Sequence, residues 1–168
     1  MEHYQYLIVG GGMTADAEVH LNVSNGIVVD DLLQTSAPHI YAAGDVANFF
    51  NPALNKRIRV EHEDNANTMG RLAGRNMAGA GERYTHLPFF YSDLFELGYE
   101  AVGEIDARLQ IVSRWKKPYR EGIVYYLRSG TVRGVLLWNV WEKVEEARAL
   151  ISEGHTFTLA ELDSAIPL

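Results

Sequence analysis

The sequence predicts two units of different class: an incomplete α/β unit over residues 1–86 and an α+β unit over residues 87–168. Three observations carry that division. A short apolar run, Tyr6-Leu7-Ile8-Val9, enters the glycine-rich turn Gly10-Gly11-Gly12, as the first strand of a dinucleotide-binding βαβ unit does. Residues Asp64 to about Ala80 carry helical spacing with an unusually small apolar face. From Leu87 onward aromatic residues cluster and alternating strands follow one another, closed by an amphipathic helix.

Composition bounds the classes. At 168 residues the chain has room for one domain and a small second one. Apolar residues make up 47% and charged residues 22%, an ordinary globular balance that excludes disordered and collagen-like classes. Lys plus Arg is 15 against 22 for Asp plus Glu, a net charge of −7, so no long-range cationic field for nucleic acid or anionic membrane exists. Without cysteine there is no disulfide, iron–sulfur cluster or Cys-ligated zinc, and a redox-active cysteine pair is not in this chain. The longest apolar runs, Tyr6–Val9 and Val135–Trp138, fall far short of the about 20 residues of a membrane span. Met1-Glu2-His3-Tyr4 lacks the basic start of a signal peptide. A cytoplasmic protein with neither nucleic-acid nor membrane partners is expected.

Taken in order, the strand Tyr6–Val9 and its glycine turn should lead into a crossover helix. Instead Val19, Leu21 and Val23 alternate with polar residues, which is strand period, and Asn25-Gly26 makes a turn. Ile27–Val29 is a short strand ending at Asp30-Asp31. A second strand, His39–Ala43, ends in Gly44-Asp45. A polar loop and a basic hairpin-like stretch, Lys56–Val60, follow. On the next helix Ala66, Met69, Gly70, Ala73, Gly74 and Met77 share one face, which should pack very close to a backbone or a flat ligand. Past a boundary near Glu82–Pro88, strands are predicted at Tyr99–Ile105, Leu109–Trp115, Gly122–Leu127 and Val132–Trp138, with Ser129-Gly130 as a tight turn. Val140, Val144, Ala147 and Ile151 mark a helix that ends at Gly154.

Two stretches carry chemistry. In Gly10-x-Gly12-x-x-Ala15, glycines let backbone amides approach a pyrophosphate, and the helix N-terminus supplies positive potential. Asp30 stands about where the acid of such a unit would hold a ribose, which would make this a single dinucleotide-binding unit. The missing crossover helix argues against that. Gly44-Asp45 ends a strand at its carboxyl edge, where α/β proteins bind ligands; Asp45 either accepts hydrogen bonds from a polyol or caps the following turn. Glu61-His62-Glu63-Asp64 has no second histidine at ligand spacing, so no metal site is predicted, and His62 taken alone reads as a helix cap. Trp115-Lys116-Lys117-Pro118-Tyr119-Arg120 mixes basic and aromatic residues but reads as a solvated loop in an acidic chain. Trp138 and Trp141 read as packing residues. Neither a Gly-x-Ser-x-Gly elbow nor a P-loop is present.

The two stretches together resemble the two FAD fingerprints of flavoprotein reductases. Arg59-Val60-Glu61-His62-Glu63-Asp64-Asn65-Ala66, Gly70-Arg71-Leu72-Ala73-Gly74-Arg75-Asn76-Met77, Phe90-Tyr91-Ser92-Asp93-Leu94, Gly98-Tyr99-Glu100-Ala101-Val102-Gly103 and Gly134-Val135-Leu136-Leu137-Trp138-Asn139 narrow the likeness. They resemble apoptosis-inducing factor and its bacterial ferredoxin-reductase-like relatives, within the pyridine nucleotide-disulfide oxidoreductases. The resemblance implies a partial FAD-binding Rossmann-like domain over 1–86 and an antiparallel-sheet C-terminal reductase or dimerisation domain over 87–168. It also implies an internal deletion near 17–19, where the predicted helix breaks.

By that resemblance Gly10, Gly11, Gly12, Met13, Thr14 and Ala15 would hold the FAD pyrophosphate. Gly44 and Asp45 would meet the ribityl or adjacent phosphate region, and His62, Glu63 and Tyr91 the flavin ring. Tyr91 stands where relatives often carry Trp. Glu61 and Glu100 would face the nicotinamide of NAD(P)H. No residue is required as a catalytic acid or base. The implied function is that of a fragment of an FAD-dependent NAD(P)H oxidoreductase delivering electrons to an unidentified acceptor. The alternative is a non-catalytic interaction or folding module with a vestigial FAD site, forming a homo-oligomer or completed by another chain.

Overall fold

The computed structural model describes the backbone of residues 6–9 and all of residues 21–168. Contacts divide the chain into two compact units, Met1–His86 and Leu87–Leu168.

In the first unit β1 is Tyr6–Val9, β2 Ile27–Val28 and β3 Ile40–Ala43. β1 and β3 pair in parallel, Tyr6 opposite Ile40 and Val9 opposite Ala43. β3 is buried from Tyr41 to Ala43 and passes into a single 3₁₀ turn, Gly44–Val46. β4 (Ala47–Asn51) and β5 (Lys56–Ile58) then form an antiparallel hairpin, with β2 parallel to β4 on its other edge. The polar loop expected after Asp45 is thus a strand. Its asparagines disguise it, yet both are buried and bonded to backbone: Asn48 donates to the Ser24 carbonyl and Asn51 to that of His86 at 2.9 Å.

Asp30 does not end a strand beside β1. β2 belongs to the other sheet, and Asp30 Oδ1 accepts the N–H groups of Leu32 and Gln34, each at 2.9 Å, closing a turn. The alternation read through Val19, Leu21 and Val23 falls partly outside the described residues; what is described is a single bridge, Val23 to Ile27, across the Asn25-Gly26 turn.

Helix α1 spans Glu63–Met77. Met69, Leu72 and Ala73 are buried in the first unit's core with Phe49 and Tyr84. The small face does not act as one surface. Gly70 and Gly74 have nothing within 4 Å of where a Cβ would stand, whereas a Cβ on Gly44 would lie 3.4 Å from the Cβ of Ala66. At the start of the helix it is Ala66 that approaches the Gly44 turn, and Met69 and Ala73 of the same face are buried in the core.

The second unit is a five-stranded antiparallel sheet in the order β6-β7-β10-β9-β8, built from Phe89–Leu94, Leu97–Gly103, Gln110–Lys117, Glu121–Arg128 and Thr131–Trp138. β6 was not expected, because Phe89-Phe90-Tyr91 does not alternate. Val102, Val135, Leu137, Ile123 and Tyr125 share one face by register and are fully buried, and α2 (Val144–Glu153) packs on β7 and β10 with Ala147, Leu150 and Ile151 inward. The basic, aromatic stretch is the end of β8 and a turn; Lys116 and Lys117 reach Glu121, and Arg120 reaches Glu96. A further helix, α3 (Leu159–Ala165), opens with a Thr158–Glu161 capping box. It buries Leu162 and Ile166 and is tied to the sheet by Arg114, which donates to the Ile166 carbonyl at 3.1 Å and pairs with Asp163 at 3.3 Å.

β10 is irregular between Val132 and Gly134, and a Cβ on Gly134 would meet the Glu104 carbonyl oxygen at 2.1 Å. Gly134→Ala should therefore cost about 1–3 kcal/mol in urea unfolding, while Gly74→Ala, on an open helix face, should add about 0.5–1 kcal/mol. Equal effects of the two would contradict the packing described.

Candidate functional site

β3 delivers the site. Its last residue, Ala43, is extended, and Gly44 turns the chain with a φ of +77°, a left-handed backbone that a side chain resists. The turn leaves Gly44 buried and Asp45 exposed at the carboxyl end of the strand, and it packs against α1. There α1 begins at His62, whose extended backbone and Nδ1, 3.4 Å from the Asp64 N–H, make it the N-cap. Glu63 opens the helix, and its Oε1 accepts from Asn67 at 3.3 Å. Gly44, Asp45, Glu61, His62 and Glu63 are thus gathered by one turn and one helix start. Gly10, Gly11, Gly12, Met13, Thr14 and Ala15 lie outside the described residues.

Arg59 ties this cluster together. Its Nη1 donates to the Asp45 carbonyl at 2.9 Å and pairs with the Glu61 carboxylate, and its stem crosses Gly26, where a Cβ would meet Arg59 Cδ at 2.6 Å. Arg57, two residues earlier, donates to the Val29 and Asn48 carbonyls at 3.1 and 2.8 Å. Neither arginine was singled out from the sequence. The available signal was the i, i+2 pair in Lys56-Arg57-Ile58-Arg59-Val60, a spacing that puts side chains on one side of an extended chain. Beneath the helix start, Asn65 is fully buried; it donates to the Val60 carbonyl at 3.1 Å and accepts from Tyr84 Oη at 3.0 Å.

In the second unit Tyr91 on β6 stands directly opposite Glu100 on β7, so the two side chains share a face. Tyr91 is 47% exposed and stacks on Phe89 with centroids 6.3 Å apart. Glu100 is half-buried, and its Oε2 is buried without a hydrogen-bond partner. Burial pushes its carboxyl above the ordinary carboxylate range; the Glu142 backbone N–H pulls it partly back, and the Glu142 charge raises it again. Trp138 stacks on Tyr99 at 6.0 Å, and Trp141 lies over Gly98.

A strand ending in a left-handed Gly-Asp turn against a helix start, followed by a five-stranded antiparallel unit, is the architecture of a ferredoxin-reductase-like flavoprotein. The solved ferredoxin reductase of a cytochrome P450 system from Rhodopseudomonas palustris superposes with a TM-score of 0.75 at 28% identity, over 87% of this chain and 36% of that one. Residues 2–70 match the pyridine nucleotide-disulphide oxidoreductase family, and residues 73–121 and 113–153 match the C-terminal family of mitochondrion-associated apoptosis-inducing factor. The chain belongs to the pyridine nucleotide-disulphide oxidoreductases, a family of oxidoreductases.

It is 39% identical to apoptosis-inducing factor 1, mitochondrial, of Dictyostelium discoideum, over 86% of this chain and 29% of that protein. To the ferredoxin–NAD(+) reductase component of the anthranilate 1,2-dioxygenase system of Burkholderia cepacia it is 30% identical, over 90% of this chain and 39% of that one. The chain therefore spans between about three-tenths and two-fifths of the length of these relatives.

Because burial disfavours ionised Glu100, the native state holds that proton more tightly than the unfolded chain. The resulting stability is full below the ordinary carboxylate range and is lost as pH rises through the raised value. Glu100→Gln should accordingly be more stable than the parent at about pH 8 and lose that advantage near about pH 4, in thermal unfolding. An advantage independent of pH would exclude the carboxylate charge as its origin.

Proposed function

We propose that the chain is the flavin-binding and C-terminal portion of an FAD-dependent NAD(P)H oxidoreductase, acting in hydride transfer from nicotinamide to flavin with electrons leaving to an acceptor. The observation that carries this reading is the Gly44-Asp45 turn, buried on its glycine, exposed on its carboxylate, and placed at the carboxyl end of a parallel strand against a helix start. The residues fit a polyol-bearing dinucleotide. The left-handed turn brings the backbone close, and the Asp45 carboxylate is open to accept from hydroxyls. FAD, when bound, supplies a hydride acceptor and the passage from two-electron to one-electron chemistry.

The chain's own residues position rather than react. Gly10–Ala15 are assigned to the pyrophosphate, and Gly44 and Asp45 to the ribityl chain. His62 and Glu63 are assigned to the ring, at a helix N-terminus whose dipole favours negative charge. Tyr91 provides an aromatic surface for the flavin, and Glu61 and Glu100 provide carboxylates for the nicotinamide side. A solved relative is a covalent putidaredoxin reductase–putidaredoxin complex, with a TM-score of 0.76 at 28% identity over 89% of this chain and 35% of that one. An electron-carrier protein of that kind is the acceptor proposed.

The test is nicotinamide oxidation by the FAD-reconstituted protein with ferricyanide as acceptor, in which two ferricyanide ions are reduced per nicotinamide. Asp45→Ala should weaken FAD binding by at least about tenfold, the loss of one charge-assisted hydrogen bond. Unchanged FAD affinity in that variant would contradict the assignment of Asp45.

A second reading, an interaction or folding module, is favoured by one observation. Among the described residues β1 and β3 form a sheet of their own, and parallel strands are ordinarily covered and flanked. On that reading a second copy or a complementing chain covers the edge. Light scattering should then show species larger than the monomer, and a clean monomer would contradict it.

A further inference from the structure

Three arginines converge on a groove of the first unit that the flavin reading leaves unused. The groove, about 340 Å³, lies between α1 and the segment 82–86. Arg71 and Arg75 line it from the helix, four residues apart and so on one face, and Arg83 lines it from the following segment. Thr68 and Thr85 add hydroxyls, and Leu72 and Tyr84, 6% and 4% exposed, form its floor. His86 also lines the groove, its ring fixed by Asp64 at 2.7 Å.

The arginines differ in how they are neutralised. Arg75 pairs with Glu82, and Arg83 pairs with Asp31 at 3.2 Å, each pair with half or more of both side chains in water. Exposed pairs of this kind are weak and exchange readily for a better anion. Arg71 has no carboxylate partner among the described residues. Three guanidinium groups and one carboxylate, Glu82, line the groove in a chain whose net charge is −7.

We propose that this groove binds a small phosphate-bearing molecule, its phosphate held by Arg71 and Arg83 with Arg75 and the threonine hydroxyls completing the shell. The donor set selects phosphate. A carboxylate offers two oxygens in one plane, whereas a tetrahedral phosphate dianion offers three oxygens in different directions and so suits guanidinium groups that approach from two segments. The volume sets the size: it stands at the lower end of the about 300–1,000 Å³ of small-molecule sites, suited to a small organic phosphate rather than a whole dinucleotide. The site is therefore separate in kind from the Gly44-Asp45 turn.

Titration calorimetry of the full chain with inorganic pyrophosphate tests this. The parent protein should bind, and R71Q/R83Q should bind at least about tenfold more weakly, with flavin occupancy unchanged. Arg71→Gln alone, which breaks no ion pair, should give a loss in the same direction and guards against a folding effect in the double variant. Absence of binding to the parent, or equal affinity in R71Q/R83Q, would overturn the proposal. So would a hexaglutamate peptide that binds more tightly than pyrophosphate and is lost in the same variants; that result would make the groove a contact for an acidic protein.

Discussion

The turn at Gly44 is the constraint on which the candidate site depends. A buried strand must leave the β1–β3 sheet, reverse into the β4–β5 hairpin, and return a helix start to the same place. A left-handed residue achieves the first step, and at the last the Ala66 side chain stands at van der Waals distance from where a side chain on residue 44 would be. Asp45 is exposed because Gly44 is buried. The position of the carboxylate is thus set by backbone geometry, and its orientation does not rely on side-chain contacts of its own.

What holds that geometry is a set of polar bonds to backbone. Arg57 on β5 satisfies the carbonyls of Val29, just past β2, and of Asn48 in β4; Arg59, just past β5, donates to the turn at Asp45; and Asn65 links the Val60 carbonyl to Tyr84 under the helix. A backbone carbonyl left unpaired in such a place costs about 1–3 kcal/mol. The part-buried bonds of Arg57 and Asn65 therefore count for more than exposed ion pairs on the surface, which are worth about 0–1 kcal/mol each. The second unit solves a simpler problem. Its antiparallel sheet buries one face under α2, and the one charge in an awkward position, Glu100, stands across from the exposed Tyr91.

Much of this was legible in the sequence, and the misses have physical causes. The β3 strand and its Gly-Asp end, α1, and the strands of the second unit announce themselves by apolar runs, 3.6-residue spacing or period two. β4 was hidden because Asn48 and Asn51 read as loop residues, and only tertiary bonding makes them strand residues. α3 is seven residues long, too short for periodicity, although Thr158 and Glu161 spell a capping box. The small face of α1 suggested close packing along its length, but spacing cannot tell a glycine facing a neighbour from one facing water. Asp30 illustrates the converse. Its distance from the glycines imitated a ribose ligand, and its hydrogen bonds to Leu32 and Gln34 show a turn.

The central claim is that the Gly44-Asp45 turn and the α1 start form part of a working flavin site in this chain. The most direct measurement is the visible absorption spectrum of the purified protein, followed by heat release of any free FAD. A flavin band near stoichiometric occupancy, with FAD recovered on heating, is the predicted result. A colourless protein that also fails to take up added FAD would contradict the claim and leave the fingerprints as remnants.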